Sequence, residues 1–224
     1  MRKVKPSVAA LLVTMLLFSS ILVATQAYGQ AVTLSATVAQ SFSFTTTGSG
    51  SFGTVTPLTP DYSTTTLAVT TNDTNGWNVS LSGGWKTTAN MNMQMTGATS
   101  TQITDQTEWI PGTSTSTAGN SVVQASLINS SDVLAFRVST ASSTNGAAFY
   151  STTWWGASDA GGVAKWAGIA SSTVLRKIGD AGGGSPGTYS ASTHYNDVVY
   201  YLNVAASQPT GAYTTPLTFS ATGD

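Results

Sequence analysis

Threonine is the residue that most constrains what this chain can fold into. From Gln30 to the C-terminus it fills 36 of 195 positions, and serine brings the hydroxyl residues to 63. Threonine is branched at Cβ, which suits a pleated surface and weakens a helix. The apolar residues are spaced accordingly. Larger apolar residues recur at every second position in Val32-Thr33-Leu34-Ser35-Ala36-Thr37-Val38, Leu67-Ala68-Val69, Trp77-Asn78-Val79-Ser80-Leu81 and Leu134-Ala135-Phe136-Arg137-Val138, the period that puts one set of side chains on one face of a strand. Two further strands are predicted over Val198–Val204 and Tyr213–Phe219, flanking the turn Ser207-Gln208-Pro209-Thr210-Gly211, where Pro and Gly set the backbone. Short strands with frequent turn signals predict an all-β fold, an immunoglobulin-like antiparallel β-sandwich with a long irregular insertion. The insertion spans about 99–193. It holds the glycine-rich loop Gly182–Gly187, and Val163, Trp166, Ile169 and Val174 are spaced for one short helix between Gly161 and Ile178. One sandwich domain is expected over 30–224.

The first 29 residues read as an address. Arg2, Lys3 and Lys5 precede an almost wholly apolar run from Val8 to Val23, followed by the small residues Ala24, Ala27 and Gly29. That order predicts a secretory signal peptide cleaved after Ala27 or Gly29, with an uncleaved anchor as the alternative. After cleavage no membrane span is expected. The remaining chain would carry 5 Lys and Arg against 9 Asp and Glu, which excludes the basic footprint of a nucleic-acid binder. There is no cysteine, so thiolate metal sites, disulfides and thiol nucleophiles are excluded.

Candidate chemistry is sparse. His194 is the sole imidazole, close to Ser190, Ser192 and Asp197, but in so serine-rich a chain that proximity carries no information, and a structural histidine is the favoured reading. Asp105 and Glu108, the one glutamate of the chain, could form a glycosidase carboxylate pair, but nothing marks their environment. Met91, Met93 and Met95 alternate as an amphipathic strand requires; thioether ligation of copper is the less favoured account. The aspartates are dispersed, without a calcium loop. No catalytic residue, metal or cofactor is therefore expected. Asn72, Asn78 and Asn129 begin N-glycosylation triplets, which arise by chance in so Ser/Thr-rich a chain. The aromatic cluster Tyr150, Trp154, Trp155, with Trp166 nearby, is the candidate glycan contact. On a strand, adjacent Trp154 and Trp155 would point to opposite faces, leaving one ring outside the core to stack on a sugar.

Three segments carry a family resemblance: Phe52-Gly53-Thr54-Val55, Gly76-Trp77-Asn78-Val79-Ser80-Leu81, and the closing Gly211-Ala212-Tyr213-Thr214-Thr215-Pro216-Leu217-Thr218-Phe219-Ser220-Ala221. In this order they resemble the WxL-type cell-surface domains of Gram-positive bacteria, with Val79 standing where that family has Leu, and Phe219 and Ala221 where it has Trp and Leu. The closing strand is also similar to those of spore-coat-U-like and fimbrial subunits. The WxL resemblance implies a secreted sandwich held at the cell wall through peptidoglycan, with Gly76, Trp77, Val79, Tyr213 and Phe219 as motif residues. From the residues alone, Trp77 is expected in the core, with Val79 and Leu81 on the same face.

The function expected is thus a non-catalytic, secreted cell-surface or cell-wall protein. Its expected partners are peptidoglycan or another wall glycan, and further copies of itself or other envelope proteins. The alternatives are a carbohydrate-binding module built on exposed tryptophans, and a coat or fimbrial subunit assembling by strand addition, with Ala31–Phe44 as the donated element.

Overall fold

The computed structural model describes residues 35–73, 75–83, 91–114, 116–128, 131–139, 151–171, 173–182 and 193–223. The leader and the start of the alternation at Val32 lie outside these. Contacts divide the chain between Val38 and Ala39. On the first side, residues 35–38 are exposed and carry no regular structure. Everything below concerns the body from Ala39 onward.

That body is nearly all strand, in several antiparallel sheets, and its fold is sandwich-like. The largest sheet has the order β1-β2-β10-β7, from β1 (Phe42–Thr47), β2 (Asp61–Thr71), β10 (His194–Asn203) and β7 (Val133–Val138). In β2 the alternation is literal: Thr65, Leu67, Val69 and Thr71 are buried while the residues between them are half-buried. In register with them, β10 supplies Val198, Tyr200 and Leu202 to the same side, and β7 supplies Leu134, Phe136 and Val138. A second sheet, β12-β3-β9, joins β3 (Gly76–Gly83) to β9 (Arg176–Gly182) and β12 (Leu217–Gly223). Trp77, Val79, Leu81 and Ile178 from this sheet join one cluster with the inward residues of the first. The expected placement of Trp77 in the core holds: it is fully buried. A small sheet, β11-β4-β5, is built from β4 (Met91–Met95), β5 (Ala98–Thr104) and β11 (Tyr213–Thr214).

Three expectations about elements are corrected. The strand predicted over Tyr213–Phe219 breaks at Thr215-Pro216, because proline has no N–H to give a ladder; β11 pairs with Met95 and Gln94, whereas β12 pairs with β3. The turn Ser207–Gly211 consequently carries the chain from one sheet to the others and does not close a hairpin. The helix predicted between Gly161 and Ile178 is absent. Those residues form a turn, the two-residue strand β8 (Lys165–Trp166) and the start of β9. Gly168 explains part of this: a Cβ there would lie 1.7 Å from the Gln106 carbonyl oxygen, so the backbone packs where no helix side chain fits. The helix that does form, α1 (Thr152–Trp155), is one turn long, with Ser151 Oγ accepting from Trp154 N at 3.2 Å as its N-cap.

The stretch 99–193 contributes β7 and β9 to the two main sheets. Other parts of it cover the outer side of the first sheet, where β6 (Val122–Val123) pairs with β8. All six residues of β7 are buried because both faces are covered; Val133 and Ala135 pack outward with Leu127, Trp166 and Tyr201. Arg137 on this outer face is 2% exposed. Its guanidinium pairs with Asp159, donates to the carbonyl of Trp155 at 3.2 Å and lies over the Trp166 ring, so the buried charge is both paired and hydrogen-bonded.

Candidate functional site

The two long sides of the sandwich are built differently. On the β7/β9 side, backbone bonds run on past the edge of β7: Gln106 N donates to the Leu134 carbonyl at 2.8 Å, and Phe136 and Ala167 exchange bonds at 2.8 and 3.0 Å. Behind them Trp109 stacks on Trp155 with centroids 4.6 Å apart and meets Trp154 edge-on at 5.5 Å. Each indole N–H has a carbonyl: Trp109 Nε1 donates to Lys177 at 2.7 Å, Trp154 Nε1 to Thr117 at 2.8 Å and Trp155 Nε1 to Ile178 at 3.2 Å. Two of those acceptors are on β9, so the tryptophans tie one sheet's edge to the other's.

The opposite side ends in β1 and β12, neither of which has a further strand beyond it among the described residues. Phe42, Phe44 and Thr46 are the inward residues of β1, yet Phe42 is 37% exposed and Phe44 only half-buried. On β12, Leu217, Phe219 and Ala221 are likewise only partly covered. Between the sheets on this side a cleft of about 810 Å³ runs inward to the buried Ile103, Leu134 and Ile169. That volume is in the range of ligand sites. No charged side chain is among its lining residues. The loop 48–53 after β1 forms one rim. Gly48, Gly50 and Gly53 all take positive φ there, and a Cβ on Gly50 would come within 3.3 Å of the Tyr200 ring. Residues 208–215 form the other rim, held by the Tyr213 hydroxyl, which donates to the Pro209 carbonyl at 2.8 Å and accepts from Gln208 Nε2 at 3.0 Å. At depth the Tyr200 hydroxyl donates to Thr65 Oγ1 at 3.3 Å. Burial pushes the Tyr200 phenol up to about 12, so it is a neutral donor at ordinary pH. The cleft can hold an apolar group with a few hydrogen-bonding points; it offers no acid–base pair.

Two of the three resemblance segments meet on this open side, and the other lies buried behind them. Phe52 and Val55 line the cleft mouth, as do Tyr213 and Phe219. The second segment is β3 itself, whose Leu81, Val79 and Trp77 pair with Phe219, Ala221 and Gly223 of β12. Gly76 enters the strand with φ of 109°.

The glycan candidates fare otherwise. Trp154 and Trp155 are 1% and 0% exposed, because they lie on a one-turn helix and not on a strand, and both turn into the tryptophan cluster. Neither ring has a face left for a sugar, and Trp166 is buried as well; Tyr150 lies outside the described residues. His194 is buried with its ring 5.8 Å from that of Trp77, while Ser190 and Ser192 are outside the described residues. Asp197 accepts from Thr66 Oγ1 at 2.5 Å on the outer face. Asp105 is fully buried beside β7, and Glu108 pairs with Arg176 at 3.3 Å. Met93 lines the cleft, and the Met95 side chain packs on Gly211. Among the described residues no three His, Asp or Glu side chains come together as metal ligands, and no helix is long and apolar enough to cross a membrane. Sequence reasoning missed the cleft floor and Trp109. The run of positive-φ glycines after β1 is the one local signal that a loop there must pack closely.

No protein-family model, curated protein or solved structure matches this chain.

Proposed function

We propose that the chain is a non-catalytic, secreted surface protein of the cell envelope, similar in design to WxL-type domains, and that it engages the envelope through the open β1/β12 side. The observation that supports this is that the first and third resemblance segments line one cleft, Phe52 and Val55 from the one and Tyr213 and Phe219 from the other, while the second is the buried strand that β12 pairs with. Segments separated by more than a hundred residues build one uncharged, apolar surface, which suits contact and not bond-making. Peptidoglycan or another wall glycan is the partner on the WxL resemblance; tryptophan stacking on sugar is not its means, since Trp154 and Trp155 are buried.

The test is fractionation of native cells followed by pull-down on purified peptidoglycan. Retention in the wall fraction, release by salt or denaturant without protease, and loss of retention in Phe52→Ala with the melting temperature kept are expected. Recovery wholly in the medium, with no binding to purified wall, would overturn the proposal.

A further inference from the structure

We infer that the cleft is the binding site for a neutral, single-chain amphiphile headed by a hydroxyl, with the buried Thr65–Tyr200 pair receiving the head and the apolar floor receiving the chain. Such a ligand sits inside the cleft, whereas wall contact concerns its rims, and its recognition does not depend on the wall.

The floor is set by the strands. Ile103 of β5, Leu134 of β7 and Ile169 form it, each at most 1% exposed, and Met93 of β4, Leu202 of β10 and Phe219 of β12 extend it. The volume of about 810 Å³ falls in the upper part of the range of small-molecule sites. Apolar cavities hold water poorly, because it finds no polar partners there, and they take apolar guests instead. An aliphatic chain laid over Ile103, Leu134 and Ile169 removes that surface and its own from water.

One polar feature interrupts the apolar wall. Thr65 on β2 and Tyr200 on β10 are 6% and 2% exposed, both line the cleft, and the Tyr200 hydroxyl donates to Thr65 Oγ1 at 3.3 Å. That bond uses the only proton of the phenol. The proton of Thr65 and the lone pairs of the phenol oxygen keep their capacity, since among the described residues neither hydroxyl has a second partner. Buried polar groups ordinarily find theirs. A ligand hydroxyl matches both, because it accepts from Thr65 and donates to the phenol oxygen. The loop 48–53 covers this end of the cleft: a Cβ on Gly50 would lie 3.3 Å from the Tyr200 ring and 3.6 Å from Thr65 Oγ1. The head is thus placed beneath the glycine loop.

Charge then selects the ligand by exclusion. The described residues that line the cleft include no Lys, Arg, His, Asp or Glu. The Tyr200 phenol, pushed up to about 12 by burial, stays neutral and supplies no counter-charge either. A carboxylate or ammonium drawn to the depth of Thr65 would leave water without an ionic partner, which costs far more than a hydroxyl that keeps two hydrogen bonds. A fatty-acid anion or a cationic surfactant is therefore the wrong guest, and the alcohol of the same chain length is the right one.

Displacement of a neutral fluorophore from the purified protein is the test. N-phenyl-1-naphthylamine, which brightens in apolar surroundings, is bound first; 1-decanol, decanoate at pH 8 and decyltrimethylammonium are then added, each below its micelle concentration. Decanol is expected to displace the fluorophore at a concentration about tenfold below either charged analogue. Thr65→Val keeps the side-chain shape and should weaken decanol about fivefold, the worth of one neutral hydrogen bond, with the fluorophore's own affinity unchanged. Thr46→Trp fills the cleft from its wall and should abolish fluorophore binding. Thr45→Trp, on the opposite face of the same strand, should not; circular dichroism checks the fold of each variant. The displacement series on the unsubstituted protein decides the matter even where a variant fails to fold. No fluorophore binding by the folded parent, equal displacement by the three decyl compounds, unchanged decanol affinity in Thr65→Val, or the same outcome for both tryptophan variants would overturn the inference. A protein that takes decanol as expected but never binds wall would sink the wall-binding proposal alone, and one that binds wall but not decanol would sink this one alone.

Discussion

The β7/β9 side and the β1/β12 side of this sandwich face the same problem and meet it differently. Each is a pair of sheet edges with apolar residues beneath. On the first, segments around Gln106 and Ala167 take up the free backbone of β7, and three tryptophans fill the gap with every indole N–H bonded. On the second, a cleft remains, rimmed by a glycine loop and floored by Leu134 and Ile169. The difference teaches that one fold can cover its sheet edges in two ways: among the described residues, backbone bonds and buried indoles close one side, while loops rim a cleft on the other.

Substitutions can break or sharpen that contrast. The largest effect is expected at Trp109→Ala, which removes a fully buried ring, two aromatic contacts and the bond to Lys177; a loss of about 3–5 kcal/mol in urea unfolding is the expectation, and a loss under about 1 kcal/mol would show that the closed side is not the stabilising one. Next comes Arg137→Ala, which removes the cation from Asp159 and leaves it the bond from Ser139 Oγ at 2.9 Å; breaking a buried pair costs about 3 kcal/mol or more, partly relieved because Asp159 reaches solvent, and Arg137→Met should cost less than Arg137→Ala by restoring the packing. On the open side Leu217→Ala should cost only about 1–2 kcal/mol, since its side chain is already partly exposed. The smallest effect at neutral pH is expected for Tyr200→Phe, about 1 kcal/mol for the bond to Thr65. Its signature lies at alkaline pH. The phenol titrates near 10 in the unfolded chain and about 12 in the folded one; between those values the unfolded chain has released a proton that the folded chain keeps, so stability falls as pH rises. Thermal melts from pH 9 to 12 should show a shallower decline in Tyr200→Phe than in the parent.

Much of the framework was legible in the residues. Leu67 and Val69, and Trp77 to Leu81, alternate because each strand has one face in the main core, and period-two patterning records that directly; in Leu134 to Val138 the same period marks the main-core face, although the other face is buried too. The closed side was not legible. Trp109, Trp154, Trp155 and the carbonyls of Lys177 and Ile178 come from separate stretches with no shared period, and adjacent tryptophans read as a strand pair when the local backbone is a single helical turn. The break at Pro216 was half legible: the missing N–H marks an edge, but not that the two halves join different sheets. The cleft left still less trace, because it is defined by side chains that stop short of each other across strands far apart in sequence. The resemblance segments were visible individually; that Phe52, Tyr213 and Phe219 share one surface depends on β12 pairing with β3, which no local pattern records.

Amide hydrogen exchange on the purified protein tests the central contrast most directly. The amides of β7 and the indole N–H of Trp109 should be among the last to exchange, whereas those amides of β1 that point away from β2 should exchange orders of magnitude faster. Equal protection on the two sides would contradict the contrast between a closed and an open edge.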